Sequence, residues 1–265
     1  MKLNDRRRQI VDLLVNQESA TLDELSDRFG VSKMTIHRDL DELELVGLLR
    51  KVRGGATVAA STQFESDFRH RELKATDEKL GIARAAVNLV EPGMSVILDD
   101  SSTASLMAAF LVEKKPLTVI TNGLDIMDKL AGETGITLVG LGGTYARKFN
   151  GFFGIVTEEA LAGLHADVAF VSTSAIQGFR AFHQDQEIVR LKRQMMDASE
   201  RCYLLSDNSK FNRTALHFQA DLASFAGLIT GGSLSPYQRE PLAAAGIHIV
   251  MAPAGKSHSK GGEKQ

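Results

Sequence analysis

SKMTIHRDL, residues 32–40, is the stretch from which the N-terminal fold can be read. Ile36, Leu40 and Leu43 recur at helical spacing and predict a buried stripe, which leaves Lys33, Met34, His37 and Arg38 on the other faces. Ser32 suits the N-cap position, and Val31 and Ile36 flank it as a hydrophobic staple that sets how the chain enters the helix. Upstream, Thr21 and Glu24 form a capping box, Leu22, Leu25 and Phe29 make one apolar face, and Gly30 suits a left-handed helix stop. Two short helices joined through Gly30 and Val31 read as a helix-turn-helix, and an earlier helix carrying Ile10, Leu13 and Leu14 closes a three-helix core. Residues 48–58 then read as a wing, two short strands around a glycine turn bearing Arg50, Lys51 and Arg53.

Charge refines this reading. Within residues 1–57 ten basic side chains, among them Lys2, Arg6, Arg7 and Arg8, face ten acidic ones, so the segment is not globally basic. Lys33 and Arg38 lie in the first turns of the third helix, whereas Asp39, Asp41, Glu42 and Glu44 crowd its second half and would repel phosphates. The N-terminal half is therefore the part expected to face DNA, where the helix also offers unpaired N–H groups and positive dipole charge. Lys33, Thr35, His37 and Arg38 are the candidates for base edges or nearby phosphates, and Ser32, Arg50 and Arg53 for positioning the backbone. Met34 touches a thymine methyl or packs.

The chain has 265 residues, 43% hydrophobic and 24% charged, which suits two ordinary globular domains, and its net charge of −2 makes any nucleic-acid contact local. A single cysteine, Cys202, excludes an intrachain disulfide and sits in an apolar run, where it is expected to be buried. A polar, arginine-bearing N-terminus and the lack of a long apolar run predict a cytoplasmic protein with no membrane contact. His70, His165, His183, His217 and His248 show no metal-ligand spacing, so neither metal nor cofactor is expected.

Composition divides the chain into a winged helix-turn-helix domain at 1–58, a linker at 59–78, an α/β domain at 79–252 and a disordered tail at 253–265. In the α/β part, apolar runs at 95–98, 117–120, 136–139, 168–171, 202–205 and 247–250 alternate with helical stretches at 104–111, 124–130, 157–164 and 187–198. That alternation predicts a mostly parallel sheet. Ligands of open α/β sheets collect outside the carboxyl ends of the strands. The residues found there are Asp99, Asp100, Ser101, Ser102 and Thr103, then Thr121 and Asn122, then Gly142 and Gly143, then Ser172, and finally Asp207 with Lys210. Such a rim suits a phosphorylated sugar or polyol: Ser/Thr and backbone donors for phosphate, Asp and Asn for hydroxyls, Lys210 as the cation. Arg147 and Lys148 stand ready to add charge, and His183, Asp185 and Glu187 to line the mouth.

VSKMTIHRDLDELELVGLLRKVRGGA, followed in order by LDDSST, VITN, GLGG and SDNSKF, resembles the DeoR-type transcriptional regulators over nearly the whole chain. The resemblance implies a repressor whose sensor domain is similar in fold to ribose phosphate isomerases and binds a phosphorylated sugar or sugar derivative. It also implies an effector site lined by Asp99, Ser102, Thr103, Asn122 and Lys210. His37 stands where the family usually has Arg, and Arg53 where it has His, so operator sequence does not carry over. Asp99-Asp100-Ser101-Ser102-Thr103 and Ser172-Thr173-Ser174 replace loops that are richer in glycine in the family, trading close backbone approach for hydroxyl donors.

Two other classes stay open. A sugar-phosphate isomerase with an appended DNA module would draw its general base from Asp99, Asp100, Glu187 or Lys210. A scaffold would use its α/β half only to oligomerise. For the regulator, a charge-balanced head makes too few phosphate contacts alone, so a homodimer or homotetramer on double-stranded operator DNA is expected, with effector relieving repression or, alternatively, activating.

Overall fold

The computed structural model describes residues 3–17, 19–45, 48–57, 68–232 and 234–253. They divide into two compact units, Met1–Lys74 and Ala75–Gln265. Lys2 and Val58, residues 59–67 of the expected linker and 254–265 of the expected tail lie outside the described residues.

The first unit runs α1 (Leu3–Gln17), β1 (Ser19–Thr21), α2 (Leu22–Phe29), α3 (Lys33–Leu45), β2 (Arg50–Val52), β3 (Gly55–Thr57) and α4 (Phe68–Leu73). Its core gathers Ile10, Leu14, Leu25, Ile36, Leu40, Leu49 and Ala56, with Leu22, Phe29 and Val31 packed against them. The capping box is present, with Glu24 N–H donating to Thr21 Oγ1 at 3.2 Å and Thr21 N–H to Glu24 Oε2 at 2.8 Å. Gly30 stops α2 at φ 62°, a left-handed conformation that glycine adopts without steric cost. The wing is a three-stranded antiparallel sheet in the order β1-β3-β2. Strand β1 is additional to the sequence reading, and it lies so close to β3 that a Cβ on Gly55 would collide with the Ala20 carbonyl. Helix α4 occupies part of the segment read as linker, with Leu73 packed on the head's core.

One expectation in this unit is corrected. Asp39 does not stand with the other acids of the second half of α3 to repel phosphates: it is 1% exposed and accepts from Arg6 Nε at 2.6 Å and Arg7 Nε at 2.9 Å, tying α3 to α1. Asp41 and Glu44 are likewise engaged by the wing, Asp41 by Lys51 Nζ and Glu44 by Lys51 N–H at 2.7 Å.

The second unit contains α5 (Thr76–Val87), β4 (Ser95–Leu98), α6 (Ser102–Leu111), β5 (Leu117–Thr121), α7 (Leu124–Leu130), β6 (Ile136–Gly140), β7 (Thr144–Ala146), β8 (Gly151–Phe153) and α8 (Ile155–Ala162). It continues with β9 (Ala166–Ser172), β10 (Ala175–Gln177), β11 (Arg180–His183), α9 (Gln186–Asp197), β12 (Ser199–Ser206), β13 (His217–Asp221), β14 (Gly227–Thr230), α10 (Pro236–Ala244) and β15 (Ile249–Met251). Seven strands pair in parallel in the order β15-β14-β12-β9-β4-β5-β6. All six apolar runs are strands of this sheet, and β14 is an addition. Alternating residues feed two cores: Val96 and Leu98 pack with α5 and α6 on one face, while Ile97 packs with α8 and α9 on the other. Two small antiparallel groups flank the sheet, β10-β11-β13 and the hairpin β7-β8. From β4 the chain proceeds outward through β5 and β6, and from β9 outward the other way through β12, β14 and β15. Strand order therefore reverses between β4 and β9, and their adjoining carboxyl ends are the position at which open α/β sheets hold ligands.

Among the described residues, no helix is long and apolar enough to cross a membrane, and no cluster of His, Cys, Asp or Glu could hold a metal ion.

Candidate functional site

On the head, α3 presents the candidate contacts together. Ser32 caps the helix by accepting from Thr35 N–H at 3.2 Å, and its hydroxyl lies 3.0 Å from that of Thr35. Lys33, Met34 and Arg38 are exposed, Thr35 and His37 are half-buried, and Arg50 and Arg53 stand exposed on the wing. Lys33 Nζ is paired with Asp23 of α2, and that carboxylate raises its pKa. DNA has to compete with Asp23 for Lys33, whereas Arg38 forms no ion pair among the described residues and projects from the same helix.

In the α/β unit Asp99, Asp100, Ser102, Ser172 and Asp207 gather around three lysines, two of them absent from the sequence reading. Lys192 of α9 is 2% exposed and reaches across the switch point to Asp99, with Ser172 Oγ at 3.0 Å and Asp100 at 3.9 Å. Asp99 is fully buried, and both its oxygens are engaged, Oδ1 by Ser101 N–H at 3.0 Å and Oδ2 by Ser172 N–H at 2.6 Å as well as by Lys192. Burial opposes its ionisation, but the Lys192 charge and these hydrogen bonds outweigh that and hold the carboxyl below its ordinary value. This pair lies buried where the carboxyl ends of β4 and β9 adjoin.

The second lysine, Lys79 of α5, is buried and donates to Ser102 Oγ at 3.1 Å. The third, Lys210, is half-buried beside Asp207. Burial pushes the Asp207 carboxyl up, yet Lys210, Lys79 and the Ser209 donors bring it below the usual range. Ser101 caps α6 by accepting from Ala104 N–H at 3.1 Å, which leaves the first-turn N–H groups of Ser102 and Thr103 without an intrahelical acceptor. Asn122 is fully buried, donates to the Phe152 carbonyl at 3.1 Å, and keeps Oδ1 without a hydrogen-bond partner. Thr121 Oγ1 is used locally, accepting from Gly123 N–H at 3.0 Å. Gly142 and Gly143 are exposed and pack beside Thr157, whose hydroxyl donates to the Gly142 carbonyl at 2.6 Å, rather than beside the lysines. His183 is buried and its Nδ1 accepts from Asp185 N–H at 3.2 Å, while Asp185 caps α9. Cys202 is buried in β12, which pushes its thiol pKa up.

Glu78 carries a testable pH dependence. Its Oε1 accepts from Asn208 N–H at 3.0 Å, but burial first, then the Asp207 charge, raise its pKa. A raised carboxyl means the fold prefers the neutral form, so ionised Glu78 destabilises at neutral pH and that penalty disappears on acidification toward the ordinary carboxylate range. Glu78→Gln is expected to raise the melting temperature at pH 7, with the gain shrinking as the pH falls; thermal melts across that range check it.

The missed residues share a signature. Lys79 stands at helical spacing with Ile82, Ala83 and Ala86, and Lys192 with Ile188, Leu191 and Met195, so each occupies the apolar stripe of its helix.

Comparison with known proteins agrees with this anatomy. Residues 6–62 match the model of the DeoR-like helix-turn-helix domain, and residues 74–232 that of the DeoR C terminal sensor domain. The chain is 32% identical over 253 residues to the putative aga operon transcriptional repressor of Escherichia coli O157:H7, covering 94% of this chain and 93% of the other. It is 34% identical over 233 residues to the L-fucose operon activator of Haemophilus influenzae, covering 88% and 93%. Among solved structures, ribose 5-phosphate isomerase A of Methanocaldococcus jannaschii aligns at 20% identity and TM-score 0.39 over 51% of this chain and 54% of its own. The translation initiation factor eIF-2B of Pyrococcus horikoshii aligns at 12% identity and TM-score 0.44 over 85% and 92%. A DNA-binding head joined to a small-molecule sensor, matched over both parts, makes this chain a member of the DeoR family of transcriptional regulators and not an enzyme.

Proposed function

We propose that this regulator represses a sugar or polyol catabolic operon and leaves its operator when a phosphorylated sugar or polyol enters the crevice at the carboxyl ends of β4, β9 and β12. The observation that carries the reading is the meeting of Lys79, Lys192 and Lys210 with the α6 N-terminus and Asn122 at the strand-order reversal. In this reading the free N–H groups of Ser102 and Thr103, with Lys210, receive the phosphate, while Asp100 and Asn122 meet the hydroxyls. Asp99 and Lys192 act from beneath, since Asp99 is fully buried with both oxygens engaged and Lys192 is almost fully buried against it. The name of the L-fucose operon activator supports a sugar-related role, and the two relatives' names include both a repressor and an activator; we adopt relief of repression as the sign. The protein is expected to work in the cytoplasm as a homodimer or homotetramer, because a charge-balanced head needs a second one on a repeated half-site.

Division of labour provides the test. Arg38→Ala is expected to weaken operator binding about 5- to 100-fold, the range of a lost base contact, and to leave the response to sugar phosphates intact. Lys210→Ala is expected to do the reverse. Gel shifts with a panel of pentose and hexose phosphates read both effects, and equal losses in the two assays for either variant would contradict the reading.

A further inference from the structure

We infer that the β7-β8 hairpin and the outward face of α8 form a two-fold interface with a second copy of this chain. Tyr145 and Phe152 are cross-strand partners on the hairpin with ring centroids 5.6 Å apart, and Tyr145 is exposed. Just beyond them Ile155 and Val156 are 67% and 62% exposed at the start of α8. Leu161, further along the same helix, is fully buried in the core, so α8 carries apolar side chains on both of its faces, the pattern of a helix covered from two sides. Phe218, a half-exposed aromatic elsewhere in this unit, already has the Arg180 and Arg193 guanidiniums over its ring; among the described residues no cation covers Tyr145 or Phe152 in this way.

Charge selects the occupant. Arg147 is exposed in the loop after β7, and Glu159 is exposed on α8 one turn after Ile155, so along the chain Phe152, Ile155 and Val156 fall between a basic and an acidic group. A two-fold axis through Tyr145 and Phe152 sets Arg147 of each copy against Glu159 of the other, which is the self-complementarity an isologous interface requires. The hairpin is also stitched to the effector-facing loop: Phe152 N–H donates to the Asn122 carbonyl at 2.8 Å, Asn122 donates back to the Phe152 carbonyl at 3.1 Å, and Leu124 N–H donates to the Asn150 carbonyl at 2.9 Å.

This inference rests on the oligomeric reading above, and sedimentation of the full chain separates the two. Wild type is expected at two or four times the chain mass, and the Ile155→Asp, Val156→Asp double variant at half the wild-type mass with an unchanged circular dichroism spectrum. Arg147→Glu and Glu159→Arg are each expected to weaken association about tenfold, because each places two like-charge contacts in the interface, and their combination restores it. A double aspartate variant that keeps the wild-type mass overturns this surface and leaves the oligomer standing. Failure of the combined charge exchange to restore association overturns the two-fold arrangement. A wild type that is monomeric at every concentration overturns the oligomeric reading and the surface together.

Discussion

Lys192→Met is expected to destabilise the α/β unit by about 3–5 kcal/mol, the cost of leaving a buried charge without its partner. Asp99 is fully buried and Asp100 nearly so, and in the variant no cation offsets the first of them. For a unit of this size a kilocalorie moves the melting temperature by about 2–4 °C, so the fall is on the order of 10 °C. Adding Asp99→Asn recovers part of the loss, because no unpaired carboxylate then remains at that position. The pH dependence comes from the depressed Asp99 pKa. In wild type the pair stabilises above the ordinary carboxylate range and that contribution is lost as pH falls through the lower, folded-state value. In Lys192→Met protonation of Asp99 relieves the unpaired charge, so the difference between the two proteins narrows on acidification. Thermal melts at neutral and acidic pH check both statements; equal melting temperatures at pH 7 would show that the pair carries no such weight.

Asp39→Ala should have the second large effect, on the head alone. Asp39 gathers Arg6 and Arg7 from α1 and holds them to α3, and removing it strands the largely buried Arg6 guanidinium. A loss of about 3 kcal/mol is a large fraction of what so small a unit has, and with about 4–8 °C per kilocalorie its melting temperature drops by more than about 10 °C. Operator binding falls with it, while the melting of the α/β unit is unchanged. Arg38→Ala provides the contrast, weakening DNA binding without lowering the head's melting temperature. Calorimetry and DNA titration of the two variants side by side separate a residue that builds the head from one that reads DNA.

Much of the architecture was legible because it rests on local chemistry. Thr21 with Glu24 and the left-handed Gly30 act within a few residues of themselves, and the strands of the main sheet, buried on both faces, announce themselves as unbroken apolar runs. Strand β14 escaped notice because GLIT is short and is flanked by small residues. The site was half legible. Ser101, Ser102, Asn122 and Lys210 come directly after their strands in sequence, so the strand-end rule finds them. Lys79, Lys192 and Asp39 do not: each stands at a core-facing position of a helix, and its partner is set by tertiary packing, 93 residues away for Lys192 and 33 for Arg6 with Asp39. A charge on an apolar stripe signals a buried pair; the stripe alone does not name the partner.

Control of DNA binding by a phosphorylated metabolite, acting through the three-lysine crevice, is the proposal on which most else depends. The direct measurement is fluorescence anisotropy of an operator selected by the protein from a random duplex library, titrated with pentose and hexose phosphates and with the same sugars lacking phosphate. At least one phosphorylated compound is expected to weaken operator binding about tenfold or more, its unphosphorylated counterpart to have no effect, and Lys210→Ala to abolish the response. Operator affinity unmoved by every phosphate, or moved equally by the free sugar, would contradict it.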